Sequence, residues 1–297
     1  MTLLDFSRQM AGTVEKTGPA VVAVRTQRMA AASGILFRDG LVLTADHATQ
    51  GHEVQAVVLA DGSTQPVLVL GRDAGTDVAV LKLPAAPVAP VLARAGVVAA
   101  GHLALAVGRS AEMGVQAAMG IVSLAGGAWR TMRGGQLDQL IRLDMGLHPA
   151  QSGGAVVDAE GRLIGMATRG LSRSGGVAIP AGTLDRVLDA VLERGRVVRG
   201  YLGVGLQPVP LPAHLMNKLG REQAHALIVV SVEPESPAER GGVFLGDVLT
   251  AVDGRAIDET AALLAHLDAG SPGRVLEWQV LRGGRVETVA VTVGEKE

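Results

Sequence analysis

Short apolar runs separated by turn residues dominate the chain. Residues about 5–17 read as a short polar helix leading into Gly18-Pro19. From Ala20 onward the pattern changes to runs of four to six Val, Leu, Ile and Ala residues. Examples are Val21–Val24, Gly34–Phe37, Leu41–Thr44, Val54–Leu59, Pro66–Gly71, Val78–Leu83, Gly120–Leu124, Gly154–Val157 and Leu163–Thr168. Runs this short, bounded by Asp-Gly, Gly-Arg-Asp or Pro, predict strands rather than helices. Asp39-Gly40 and Asp61-Gly62 carry the residue pairs that favour tight hairpins. Many strands with few helices predict an all-β barrel or sandwich for this part of the chain. Thr183–Arg194 breaks the pattern, because Leu184, Val187, Leu188, Val191 and Leu192 recur at three- and four-residue spacing. That spacing predicts an amphipathic helix, with Gly195 as its C-cap.

The basic, Gly-terminated stretch Arg196–Gly200 reads as a linker. Beyond it strands resume at Ala226–Val232, Asp247–Val252, Val275–Leu281 and Val286–Val293, with a helical stretch near Glu259–Leu267. The expected organisation is an N-terminal segment (1–19), a mostly β domain (20–195), a linker (196–200) and a smaller α+β module (201–297). No internal repeat or low-complexity tract is present.

Composition narrows the function. The 297 residues carry 27 Lys and Arg against 29 Asp and Glu, a net charge of −2. Such balance lacks the basic face that nucleic-acid binding needs to displace counterions. Three Phe, two Trp and one Tyr leave few stacking platforms for single strands. With no Cys, disulfides, thiolate metal sites and thiol catalysis are excluded together. No run reaches 18 apolar residues, so no membrane span is expected; the longest candidate, Val97–Val107, contains Gly101 and His102. The opening residues Met1–Arg8 lack a basic region followed by an apolar stretch and do not read as a secretory signal. On that reading the chain is cytoplasmic, or a leader preceded it. The remaining histidines (His52, His102, His148, His214, His225 and His266) show neither helical i, i+4 pairing nor clustered carboxylates, so no metal site is expected. No glycine pattern of a nucleotide-binding loop follows a strand and opens a helix.

Three polar residues stand in strand-rich, apolar surroundings: His47 after Leu43–Asp46, Asp77 before Val78–Leu81, and Ser152 in Ala150-Gln151-Ser152-Gly153-Gly154. Each alone reads as an ordinary turn or surface residue. Together they supply what nucleophilic acyl transfer requires: a hydroxyl, an imidazole to take its proton and a carboxylate to fix the imidazole tautomer. Gly153 and Gly154 carry no Cβ and permit close approach of a substrate beside Ser152.

With these blocks in this order, the chain strongly resembles the HtrA (Deg) family of trypsin-like serine proteases. The resemblance runs through Glu15–Val24, Ser33–His47, Thr76–Lys82, Gly120–Ser123, Leu163–Met166 and Val177–Pro180. It implies a chymotrypsin-like double β-barrel, with Ser152 as nucleophile, His47 as general base and then acid, and Asp77 as the orienting carboxylate. The backbone N–H groups of Ala150 and Ser152 would form the oxyanion hole. No cofactor is implied. The C-terminal module resembles a PDZ domain, in which Tyr201-Leu202-Gly203-Val204 looks like the loop that captures a peptide's C-terminal carboxylate. A peptide would add as a strand beside the helix carrying Leu263, Leu264 and Leu267, residues that also suit the core. Further implied are unfolded or misfolded polypeptide substrates, a role in protein quality control, a cell-envelope location and a homotrimer formed through the N-terminal segment, where Phe6 is the only aromatic residue. Ala167–Gly176 would line the pocket for the residue before the scissile bond; Arg169 and Arg173 in it read as solvated loop charges, and Asp144 as a structural support.

One departure matters. The family's usual Gly-Asn-Ser-Gly-Gly is here Ala150-Gln151-Ser152-Gly153-Gly154. A glycine at the first position lets the peptide flip between active and inactive oxyanion geometries. If the active turn requires φ > 0 there, Ala150 costs about 1 kcal/mol or more. Two functions therefore stay open: a serine endopeptidase with a peptide-binding module, or a catalytically impaired pseudo-protease acting through its PDZ domain as a binding or chaperone-like protein.

Overall fold

The computed structural model describes residues 2–26, 32–50, 54–87, 90–172, 175–197, 200–220, 222–267 and 271–295. His52, Arg173 and residues 198–199 of the expected linker lie outside them. The chain divides into two compact units, residues 1–197 and 198–297.

The first unit opens with α1 (Leu3–Thr17), started by a reciprocal capping box between Thr2 and Asp5. Met10, Thr13 and Thr17 form its buried face, and Phe6 packs against the unit's own core. Leu3 and Leu4 stay exposed. Seven strands follow: β1 (Val21–Thr26), β2 (Ala32–Arg38), β3 (Leu41–Ala45), β4 (Val54–Val58), β5 (Thr64–Pro66), β6 (Leu68–Asp73) and β7 (Val78–Lys82). They pair antiparallel in the order β5-β4-β1-β2-β3-β7-β6. The Asp39-Gly40 hairpin is present, with φ of 38° and 76°, the double left-handed geometry that joins β2 to β3 with the sheet's own twist.

The second half is a closed barrel in the order β12-β15-β14-β13-β8-β9. Its strands are β8 (Leu103–Ser110), β9 (Gly114–Ala125), β12 (Ile141–Asp144), β13 (Ala155–Val157), β14 (Leu163–Thr168) and β15 (Gly176–Pro180); β10 (Trp129–Arg130) and β11 (Gln136–Leu137) form a side hairpin. The hydrogen-bond-closed barrel is present as expected, and the seven-stranded sheet forms the other half without a closing ladder among the described residues. β8 falls partly within the apolar stretch weighed as a membrane span. Its two partners in the barrel, β9 and β13, satisfy its backbone, and Ala104–Val107 are buried. Helix α2 (Ala181–Arg194) buries Leu184, Val187, Leu188 and Val191 and ends at Gly195 in the left-handed region, as its periodicity predicts. Leu192 departs from the expected face and is exposed.

The second unit contains β16 (Gly200–Tyr201), β17 (Val204–Pro210), α3 (Ala213–Leu219), β18 (His225–Val232), α4 (Pro237–Arg240), β19 (Val248–Val252), β20 (Arg255–Ala256), α5 (Thr260–Leu264), β21 (Val275–Arg282), β22 (Arg285–Thr292) and β23 (Gly294–Glu295). The main sheet runs β17-β18-β19-β21-β22, over a core that includes Leu202, Leu227, Leu249, Leu263 and the fully buried Trp278. Pro208 and Pro210 hid β17 from sequence reading. They are tolerated because β17 is an edge strand, where a missing N–H breaks no ladder on the open side. Among the described residues no helix is long and apolar enough to cross a membrane.

Candidate active site

Sheet register brings His47 and Asp77 together. Ala45, the last residue of β3, pairs with Val78, the first of β7. His47 lies two residues beyond the one and Asp77 one before the other, so their side chains meet at the strand ends. The Asp77 carboxylate accepts from the His47 backbone N–H at 2.8 Å and faces His47 Nδ1 at 2.7 Å. A third donor, the Thr168 hydroxyl at the end of β14, also binds Asp77 Oδ2. Thr168 Oγ1 in turn accepts from the Gly170 amide at 2.9 Å. Asp77 is fully buried and sits at φ 62°, a left-handed conformation that costs an L-residue of order 1 kcal/mol or more. The preceding turn holds it there: Asp73 accepts from the Gly75 amide at 3.0 Å and the Thr76 hydroxyl at 2.7 Å, and Thr131 donates to Gly75 O at 2.7 Å.

With the carboxylate accepting from Nδ1–H, the His47 ring is held in the tautomer that leaves Nε2 with a lone pair. His47 itself is partly exposed, with 28% of its side chain accessible. Gly170 closes over the pair; a Cβ there would stand 2.6 Å from His47 Nδ1 and 2.7 Å from Asp77 Oδ2.

Ser152 arrives from the other half of the unit. It follows a 3-10 turn, Pro149–Gln151, and precedes β13. Gly153 donates to Ala167 O at 2.8 Å, which sets the turn beside Thr168. A Cβ on Gly153 would lie 2.1 Å from Ser33 O and 3.0 Å from the Ala45 amide, so the Ser152 turn is pressed against β2 and the end of β3. Gly153 also has φ 86°. Both facts require glycine at this position. The Ser152 hydroxyl is buried and makes no hydrogen bond among the described residues. The structure thus couples His47 to Asp77 directly, while the Ser152 hydroxyl is not bonded to His47.

The two amides expected to form the oxyanion hole find acceptors within the turn. Ser152 N–H donates to Pro149 O at 3.1 Å, and Ala150 N–H points to His148 Nδ1 at 3.4 Å. Gln151 returns the cap, accepting from His148 N–H at 2.8 Å through Oε1 and donating to Ala106 O at 3.3 Å through Nε2. The physical reason is local. Pro149 presets the helical φ of the first turn residue, and Ala150 keeps the negative φ its Cβ favours. The 3-10 turn that results consumes both amides. His148, which reads as an isolated residue in the sequence, is a partner in this cap. Arg169 is exposed, and Asp144 ends β12 with its side chain exposed.

In the second unit Leu202 turns its side chain into the core and Gly203 takes φ 73°. Their carbonyls accept from Ala238 and Glu233 at 2.9 and 2.8 Å. Neither the Leu202 nor the Gly203 amide has an acceptor among the described residues. The Tyr201 hydroxyl donates to Glu233 Oε2, a bond to a carboxylate that holds the phenol above its ordinary pKa. Val204 opens β17 and packs partly on the core.

A buried Asp gripping a histidine at the junction of a β-sheet and a barrel, followed by a second module with a glycine-bent amide loop, defines a trypsin-like peptidase fold joined to a PDZ domain. Residues 32–166 match the trypsin-like peptidase domain family and residues 200–293 the PDZ domain family. A probable periplasmic DegP-like serine endoprotease of Halomonas elongata is 32% identical over 276 residues, covering 91% of this chain and 57% of its own. The chain thus spans little more than half the length of such curated relatives. The serine endoprotease DegS of Escherichia coli is 28% identical over 305 residues, covering 95% of this chain and 84% of its own. Among solved structures, a serine-to-alanine variant of the HtrA-type protease AlgW with a tripeptide is 31% identical, covers 97% of both chains and superposes with a TM-score of 0.76. The chain belongs to the HtrA family of serine proteases with one PDZ domain.

Proposed function

We propose that this protein is a serine endopeptidase that cleaves unfolded or misfolded polypeptides, with a PDZ module that binds peptide C-termini. The observation that carries this reading is the Asp77–His47 contact at 2.7 Å, reinforced by Thr168. A carboxylate held against Nδ1 orients the imidazole and stabilises the imidazolium that forms when it takes the Ser152 proton. Ser152 Oγ then bonds to the substrate carbonyl carbon. The C–N bond breaks as His47 returns its proton to the leaving amine, and water repeats the sequence to release the acid. No metal or organic cofactor enters these steps.

Catalysis further requires the Ala150 and Ser152 amides to face the developing oxyanion, since losing one such donor costs roughly 10²–10³ in rate. Rotation of the Pro149–Ala150 peptide achieves this, at a cost of about 1 kcal/mol if it carries Ala150 into φ > 0. In the PDZ unit the uncommitted Leu202 and Gly203 amides, with Tyr201 and Val204 flanking them, are the proposed receptor for a terminal carboxylate. Peptides accompany the AlgW structures, which supports peptide binding as the class of interaction.

The test is hydrolysis of an unfolded protein such as reduced casein, with and without peptides ending in free carboxylates. Cleavage by the wild type and its loss in Ser152→Ala support the endopeptidase. The closed oxyanion turn favours a second reading, a pseudo-protease acting as a PDZ-based adaptor. That reading wins if peptides bind but no cleavage occurs under any condition, while suppression of aggregation survives Ser152→Ala.

A further inference from the structure

Ser33, near the start of β2, has no chemistry of its own to perform, yet it touches both halves of the site. It is fully buried, and each of its four hydrogen-bonding groups is matched. Its backbone N–H donates to Ser152 O at 2.9 Å and its hydroxyl donates to Ala150 O at 2.5 Å. The hydroxyl oxygen accepts from the Arg109 amide at 2.8 Å, and the Ser33 carbonyl accepts from the Thr44 hydroxyl at 2.6 Å. Arg109 belongs to β8 in the closed barrel. Thr44 belongs to β3, three residues before His47. A single residue therefore links the strand that delivers the base, the barrel, and both ends of the segment that carries the nucleophile. Gly108 makes the approach possible, because a Cβ there would meet Ser33 Oγ and Gln151 Cα at 2.9 Å each.

Resting on the peptidase reading above, we infer that Ser33 is a positioning residue that fixes the nucleophile turn against the His47–Asp77 pair. With the Ala150 and Ser152 carbonyls both held by Ser33, the freedom left to the turn lies in the Pro149–Ala150 peptide. Its amide can reorient while Ser152 keeps its place. Removing the Ser33 hydroxyl orphans the buried Ala150 carbonyl and Arg109 amide, and the turn relaxes away from the base. Misplacement of about 1 Å suffices for a loss on the order of 100-fold in rate.

The experiment is steady-state peptide hydrolysis by the full chain, with active sites titrated by a fluorophosphonate. Ser33→Ala lowers kcat per titrated site about 100-fold with KM within threefold of wild type. Thr44→Val, nearly isosteric and one bond removed, lowers it about tenfold and serves as the deciding variant should Ser33→Ala not fold. A purely architectural role would reduce the titratable fraction and the melting temperature but leave kcat per titrated site intact in both variants, and that outcome overturns the assignment. A wild type that neither turns over nor titrates overturns the peptidase reading itself, and Ser33's role with it.

Discussion

Asp77 accepts hydrogen bonds from two separate elements, the turn after β3 and the end of β14, whereas Ala150 and Ser152 spend their amides within one short turn. The first arrangement is set by sheet register, since the ends of β3 and β7 are paired at Ala45 and Val78. The second depends on a 3.1 Å turn bond, a long 3.4 Å contact to His148 and the φ preference of one alanine. The contact proposed for the general base is thus built into the sheets, whereas the amides proposed for the oxyanion hole depend on local turn geometry.

The largest expected effect breaks the fixed half. Asp77→Asn keeps the shape but favours the wrong His47 tautomer and should lower kcat about 10⁴-fold, with unchanged peptide binding at the PDZ unit. Peptidase assays and peptide titration on one preparation check this, and a loss below tenfold would show that the pair is not functional. Next, Gly170→Ala places a methyl against both members of the pair and should cost about 100-fold in kcat. Wild-type turnover in that variant would mean the pair tolerates displacement.

Legibility in the sequence follows the same division. Short apolar runs bounded by turn residues mark most of β1–β7, β13 and β14, and helical spacing marks α2, because burial imposes these patterns locally. His47, Asp77 and Ser152 stood out as polar residues where apolar ones were expected. Thr168 and Ser33 did not, since a buried hydroxyl in a strand looks like any other until the fold delivers its partner: Asp77 is 91 positions from Thr168 and Ala150 is 117 from Ser33. The departure at Ala150 was visible. Its consequence was not, because that depends on Pro149 and on the reciprocal cap between His148 and Gln151. The loop Tyr201–Val204, proposed to bind a carboxylate, is singled out by resemblance alone, whereas β17 is obscured by its two prolines.

A pH experiment separates the PDZ unit from the site. Burial pushes the Asp247 carboxyl up, but the Arg282 guanidinium and the Phe244 amide outweigh burial and hold it below the usual carboxylate range. A group depressed in the folded state adds stability above its unfolded pKa of about 3.9 and loses it as pH falls through the folded value. Asp247→Asn should therefore destabilise the PDZ unit by about 3 kcal/mol at neutral pH, with the gap to wild type closing below about pH 4. Trp278 fluorescence in a Trp129→Phe background reports on this unit, because the chain has two tryptophans. A gap that persists unchanged in acid would contradict the assignment. The smallest effect sharpens the comparison at the turn: Ala150→Gly lifts the φ penalty and should raise kcat about fivefold, consistent with about 1 kcal/mol. An unchanged or lower kcat would mean that opening the turn does not strain Ala150.

The most direct measurement is the rate at which a fluorophosphonate modifies Ser152, followed by mass spectrometry of the intact chain. A ready base and a closed turn predict slow but stoichiometric labelling of the wild type, faster labelling of Ala150→Gly, and none in Ser152→Ala or His47→Ala. Labelling that is absent in both the wild type and Ala150→Gly, or that persists without His47, would contradict a site held ready by Asp77.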